Sequence, residues 1–165
     1  MNFSAVIRFT SSHSGTWNVG DGRVDSIDFV PSKDIAIRGI SLHRSSSGTV
    51  GYTGQIRLKE ESSKAVIVSQ GFDFTTDDSK TYFDQLFTTP GNVKAGVKYT
   101  ITLSYDGEYG VKDIWSGAGG QLSASADCGD QSVTFQFSQA TDFEGETNNG
   151  SGTASGQIPR IIFSC

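Results

Sequence analysis

Apolar and polar side chains take turns along most of this chain. Val97, Tyr99, Ile101, Leu103 and Tyr105 fall on one side of an extended backbone, with Lys98, Thr100, Thr102 and Ser104 between them. Nine residues of period 2 predict a β-strand with one buried and one wet face. Val133, Phe135 and Phe137 alternate in the same way with Ser132, Thr134 and Gln136, as do Ile56 and Leu58 with Gln55, Arg57 and Lys59. Further strands are predicted over residues 5–9, 26–30, 35–43, 65–69, 71–74, 81–87 and 158–164, a total of about ten. Within 35–43 the apolar parity changes near Gly39, from Ile35 and Ile37 to Ile40 and Leu42, which predicts a bulge. No window repeats apolar residues at helical spacing over three turns with capping signals at its ends. The expected architecture is all-β, an antiparallel β-sandwich of jelly-roll type; a closed barrel would show the same alternation.

Four longer connections separate these strands. Residues 10–25 carry Trp17 among Ser and Gly, 44–51 are Ser/Gly-rich, and 106–121 carry Tyr109 and Trp115 among glycines. Residues 139–157 are first acidic, then rich in Asn, Gly and Ser. Connections of this length in a small domain are commonly functional. The 165 residues suit one domain, and the twenty glycines fit a chain of many turns. A formal net charge of −5, with no basic run, removes nucleic acid from the expected partners. No apolar stretch approaches the ~18 residues of a membrane span, and the first residues lack the pattern of a signal peptide. Cys128 and Cys165 are expected as free thiols in a reducing compartment. Asn2-Phe-Ser4 and Asn149-Gly-Ser151 match the glycosylation acceptor by coincidence in so Ser- and Asn-rich a chain.

No constellation reads as catalytic. His13 and His43 are expected as exposed loop and strand-end residues, and no serine has the context of a nucleophile. The four Cys and His residues are too scattered for zinc. Asp142, Glu144 and Glu146 place carboxylates at alternate positions, but Thr147 and Thr153 stand where a calcium loop needs Gly and Glu. A solvated acidic loop is expected there. Gly117-Ala-Gly-Gly120 lacks the following Lys-Ser/Thr that a phosphate loop requires. Neither metal nor cofactor is expected.

Several segments resemble one family. These are Val6-Ile-Arg-Phe9, Trp17 followed by Asp25-Ser-Ile-Asp-Phe29, Asp34 to Leu42, Asn92 to Thr100, and Tyr109-Gly110. The most specific are Asn148-Asn-Gly-Ser-Gly152 and Gly156-Gln-Ile-Pro-Arg-Ile-Ile-Phe163. Together they resemble the PHR domain, from about Val6 to Phe163. The resemblance implies an antiparallel β-sandwich of about eleven strands, consistent with the total above. PHR domains occur in very large neuronal RING-type ubiquitin ligases of the Pam/Highwire/RPM group, and behind BTB domains in adaptor proteins. By this resemblance the chain is a single domain cut from a longer protein, intracellular, of the axon and synapse, and non-catalytic. His43-Arg-Ser-Ser-Ser47 and Arg160 depart from the adaptor pattern and lean towards a ligase-borne domain.

A sandwich holds its loops on rigid strands, and Trp and Tyr anchor partners because they bury much area with few rotors. The expected docking surface comprises Trp17, Tyr109, Trp115, Asn149, Gly150, Gly156 and Gln157, on a monomer whose partners are other proteins. Two other classes fit a sandwich with loop aromatics: a carbohydrate-binding module, and a hydrolase, against which the scattered His and Ser speak.

Overall fold

The computed structural model describes residues 3–165, so the acceptor match at Asn2 lies outside the described residues. The alternation becomes fourteen strands: β1 (Ser4–Ile7), β2 (Phe9–Asn18), β3 (Arg23–Pro31), β4 (Ile35–His43), β5 (Val50–Glu60), β6 (Val66–Thr76) and β7 (Tyr82–Val93), followed by β8 (Tyr99–Gly107), β9 (Asp113–Gly120), β10 (Ser123–Cys128), β11 (Gln131–Ser138), β12 (Thr147–Asn148), β13 (Ser155–Gly156) and β14 (Arg160–Ser164). A single 3-10 turn, Glu108–Gly110, is the one helical segment among the described residues.

The strands form a β-sandwich. A four-stranded sheet, β1-β14-β4-β7, packs against a seven-stranded one with the order β10-β11-β3-β8-β5-β6, to whose β3 the short β12 is added in parallel. Facing side chains exclude water because adjacent strands keep the same parity. Ile27 lies opposite Ile101, and Ile101 opposite Leu58, all three buried. Aromatic rings bridge the two layers: Phe135 lies 5.7 Å from Phe29 and 5.2 Å from Phe163. The predicted bulge is present, with β4 shifting register against β7 between Ile37 and Gly39. Gly39 is required there, because a Cβ would strike the carbonyl oxygen of Gln85.

Both long seams between the sheets are closed. At one, the Gln70 amide donates to Leu86 O (2.8 Å) and accepts from Thr88 N–H (2.7 Å), tying edge strand β6 to β7. At the other, Cys128 at the end of β10 and Cys165 after β14 form a disulfide, and Ser4 Oγ donates to Asp127 O. The expectation of free thiols is therefore corrected. Pairing of β1 with β14 brings the end of β14 beside β10, with Cα atoms 6.1 Å apart, a separation suited to a disulfide.

Two segments expected to be loops are strands instead. β2 occupies most of 10–25 and β9 half of 106–121, and they pair with each other in a third sheet, β13-β9-β2. Their Ser/Gly sequences lack apolar alternation, since β2 is mostly half-buried or exposed and the buried positions of β9 include Ser116 and Gly117, so periodicity could not mark them.

Candidate functional site

A buried polar network organises one end of the sandwich. Arg8, 1 % exposed, donates from Nε to Ile158 O (2.7 Å) and from its two Nη atoms to Gln157 O (2.8 Å) and Gly152 O (3.3 Å). Its guanidinium also lies 4.5 Å over the Phe9 ring. Burial lowers the Arg8 pKa to about 9, against the pull of Asp25. Asp25 accepts from Ser151 Oγ (2.5 Å) and Asn149 Nδ2 (2.9 Å). Burial pushes it up to about 6, opposed by those two donors, Trp17 and Arg8. Gln157 is held through Tyr105 Oη (2.9 Å), Trp115 O (3.0 Å) and Ser151 Oγ (2.8 Å).

This network explains the Gly156-Gln157-Ile158-Pro159 run. Gly156 has φ +123°, with Ser151 packed where a side chain would stand, and Ile158 is held at φ 60°, rare for a β-branched residue. The Arg8 and Gln157 bonds fix that strained turn.

The candidate docking residues separate accordingly. Gly156 and Gln157 are buried and offer no surface, which corrects their expected place on it: they support the loop from beneath. Asn149 is half-buried, with its amide used by Asn18 O (2.7 Å) and Asp25, and Gly150 packs over the Trp17 ring. In the β2–β9 register Trp17 lies opposite Ile114 and Thr16 opposite Trp115, so the tryptophans point to opposite sides. Trp17 packs on the core; Trp115 lies in a tilted pair with His13, with centroids 5.2 Å apart. Tyr109 stands apart from all of these, 96 % exposed and held at φ 54° in the 3-10 turn.

The histidines also depart from expectation. His43 is fully buried between Phe9 and Tyr82, its Nε2 bonded to Gly156 O (3.2 Å), and burial lowers its pKa to about 3. β4 runs through the interior to its last residue, so the strand end is not a surface. Among the described residues no group of three or more His, Cys, Asp and Glu could hold a metal ion. No described helix is long and apolar enough to cross a membrane.

The acidic loop, expected to be solvated, is instead a strap docked on the outer face of the larger sheet. Lys59 Nζ lies 3.3 Å from Asp142 and 3.1 Å from Glu144, while Arg57 and Thr102 also bond Glu144. Burial would raise both carboxyls, but the Glu144 N–H (2.9 Å) and Lys59 on Asp142, and Thr102, Lys59 and Arg57 on Glu144, hold them below their ordinary values. Under the strap, Ser26, Asp28, Thr100 and Thr102 are buried. No signal in a single sequence marked them, because Ser and Thr stand on water-facing strand positions here as well.

Beside the strap opens a cavity of about 310 Å³, walled by β3, β5, β8, the Gly20–Gly22 turn and the strap. Arg23, Ser104, Asp106 and Glu146 line it.

Comparison with known proteins accounts for this arrangement. The family model described as PHR domain matches residues 7–164. BTB/POZ domain-containing protein 6 of Xenopus tropicalis is 34 % identical over 165 residues, covering 94 % of this chain and 27 % of the relative. The Homo sapiens protein 6 is 33 % identical over 166 residues, and Homo sapiens BTB/POZ domain-containing protein 3 is 32 % identical over 143. These cover 94 % and 86 % of this chain, and 27 % and 25 % of the relatives. The chain thus spans about a quarter of the length of the curated relatives it matches.

Proposed function

The chain belongs to the PHR domain family, a non-catalytic family, and from that premise we propose that it is a protein-docking module of a BTB/POZ-type ubiquitin-ligase adaptor. The relatives favour the adaptor over the ligase-borne domain towards which His43-Arg-Ser-Ser-Ser47 and Arg160 lean. Those two departures mark a divergent adaptor member. A ligase of the Pam/Highwire/RPM group is the second parent, and a neuronal role follows only with that group.

One observation carries the docking reading. Tyr109 is nearly fully exposed, yet its backbone is held in the left-handed region, and Glu108 in the same turn accepts from Gly51 N–H (2.9 Å). A large aromatic displayed on a rigid, conformationally costly turn is suited to enter a partner's pocket with little further ordering. Trp115, Trp17, Asn149 and Gly150 lie apart from Tyr109 and are kept as further candidate contacts, with Gly156 and Gln157 supporting the 149–157 loop from beneath. Sugar binding is disfavoured in the cavity, whose one aromatic, Tyr105, is 2 % exposed and offers no stacking face.

The test is capture of partners by the wild-type domain and by Tyr109→Ala. The reading expects Tyr109→Ala to lose a partner while its melting temperature stays unchanged. Full retention of every partner would refute it. The domain is taken as monomeric and intracellular on the same reading. The Cys128–Cys165 disulfide is uncommon in a reducing compartment, so thiol trapping at lysis tests the intracellular part of this reading: a fully oxidised pair would count against it.

A further inference from the structure

The groups lining the cavity beside the strap divide into those already bonded and those left over. Glu144 is fully engaged by Arg57, Lys59 and Thr102. Arg57 is engaged by Glu144, Gln55 and Ser69. Arg23 is different. It lines the cavity, its Nη1 is shielded from solvent, and that nitrogen has no hydrogen-bond partner. A shielded, charged donor without an acceptor is costly and uncommon in a folded protein, so it marks a place where an acceptor is expected to arrive.

Two acids remain on the same wall. Asp106 uses one carboxylate oxygen to accept from Asp21 N–H (3.2 Å) and keeps the other unbonded. Glu146 is exposed and lies over Gly22. The Ser104 hydroxyl completes the set. One guanidinium and two carboxylates around a small polar space do not suit a phosphate, which the acids would repel. They suit a ligand carrying both signs of charge.

Resting on the docking reading above, we propose that this cavity is a recognition subsite for a mixed-charge segment of a partner protein. An Asp or Glu carboxylate enters against Arg23, and an adjacent Lys or Arg is received by Asp106 and Glu146. The volume lies at the lower end of ligand pockets, about 300–1,000 Å³, and holds one or two side chains. A carboxylate entering the cavity pairs with the Arg23 guanidinium and gives the site its direction.

The experiment is a backbone and arginine-side-chain NMR titration with three blocked tetrapeptides: Gly-Asp-Lys-Gly, Gly-Asp-Gln-Gly and Gly-Asn-Lys-Gly. The Asp-Lys peptide is expected to give saturable shifts at Arg23, Ser104, Asp106 and Gly22, with the singly charged peptides about fivefold weaker. Arg23→Gln should abolish those shifts, and Glu146→Gln should weaken them about fivefold while the protein melts as before. Should Arg23→Gln fail to fold, Glu146→Gln on its exposed side chain still decides. Absence of saturable shifts at the cavity, equal binding of Gly-Asn-Lys-Gly, or binding indifferent to Glu146→Gln would each overturn the proposal. Capture of a partner through Tyr109 with the cavity silent in the titration would sink this subsite and leave the docking reading standing.

Discussion

Around β3, β8 and β5 both faces of the seven-stranded sheet are covered, by opposite chemistry. Inward, Ile27, Leu58, Ile101 and Leu103 pack in one apolar core with the rings of Phe29, Phe135 and Phe163, and charge enters it at one end, where Arg8 and Asp25 are held by their hydrogen bonds. Outward, Ser26 and Asp28 lie opposite Thr102 and Thr100, which lie opposite Arg57 and Lys59, and the strap closes over them with Asp142 and Glu144. The inner layer is stabilised by area removed from water, on the order of 25 cal/mol per Å². The outer layer has little apolar area to bury, so its burial depends on every donor meeting an acceptor. The first region thus needs volume, the second needs pairing, and each fails in its own way.

The contrast is sharpest where volume is removed. Phe135→Ala leaves a hole between the sheets and is expected to cost about 3–5 kcal/mol in urea unfolding. A loss under about 1 kcal/mol would mean that the inner layer is loosely packed. The disulfide joins the two sheets at their edge and closes a 37-residue separation. Cys128→Ser with Cys165→Ser should cost about 2–4 kcal/mol by calorimetry under oxidising conditions, chiefly by freeing the unfolded chain.

In the outer layer, Lys59→Met removes one cation and leaves two shielded carboxylates. A loss of about 2–3 kcal/mol is expected, below that of a deeply buried pair because these groups retain slight exposure. Stability unchanged by Lys59→Met would show that the strap contributes nothing.

Acid separates the regions further. His43, in the apolar part, has its pKa lowered to about 3, so between pH 6.5 and about 3 the unfolded chain takes up a proton that the native state refuses. Stability is lost as pH falls through that window. Asp142 and Glu144 are held below their ordinary values of 3.8 and 4.5, so their contribution is lost only at lower pH. Asp25, raised to about 6, works in the opposite sense and offsets part of the loss between pH 6 and 3.8. The unfolding midpoint should therefore fall slightly between pH 7 and 5, and His43→Phe should reverse that slope, leaving the opposite contribution of Asp25 alone. A wild-type-like slope in His43→Phe would remove His43 from the account. The smallest effect belongs to neither layer: Tyr109→Ala should change stability by less than about 0.5 kcal/mol.

The inner layer was legible in the sequence because burial of one strand face writes itself as period 2. Val97 to Tyr105 and Val133 to Phe137 were read correctly for that reason, and so was the bulge at Gly39. The outer layer was not, since a polar residue facing a strap and one facing water look alike in a single chain. Thr100 and Thr102 were taken for a wet face, and Asp142 and Glu144 for its solvated loop. The same blindness hid β2 and β9, whose stability comes from pairing with each other. Of the docking residues, Tyr109 was identifiable as an aromatic between glycines. The buried roles of Gly156 and Gln157 depend on Arg8, about 150 residues away in the chain, and only the fold joins them.

A double-mutant cycle between Lys59→Met and Glu144→Gln tests the paired outer layer most directly. Coupling of about 1–2 kcal/mol between the two changes is predicted. Costs that add to within about 0.3 kcal/mol would contradict it, and the strap would then be lying on the sheet without being held there.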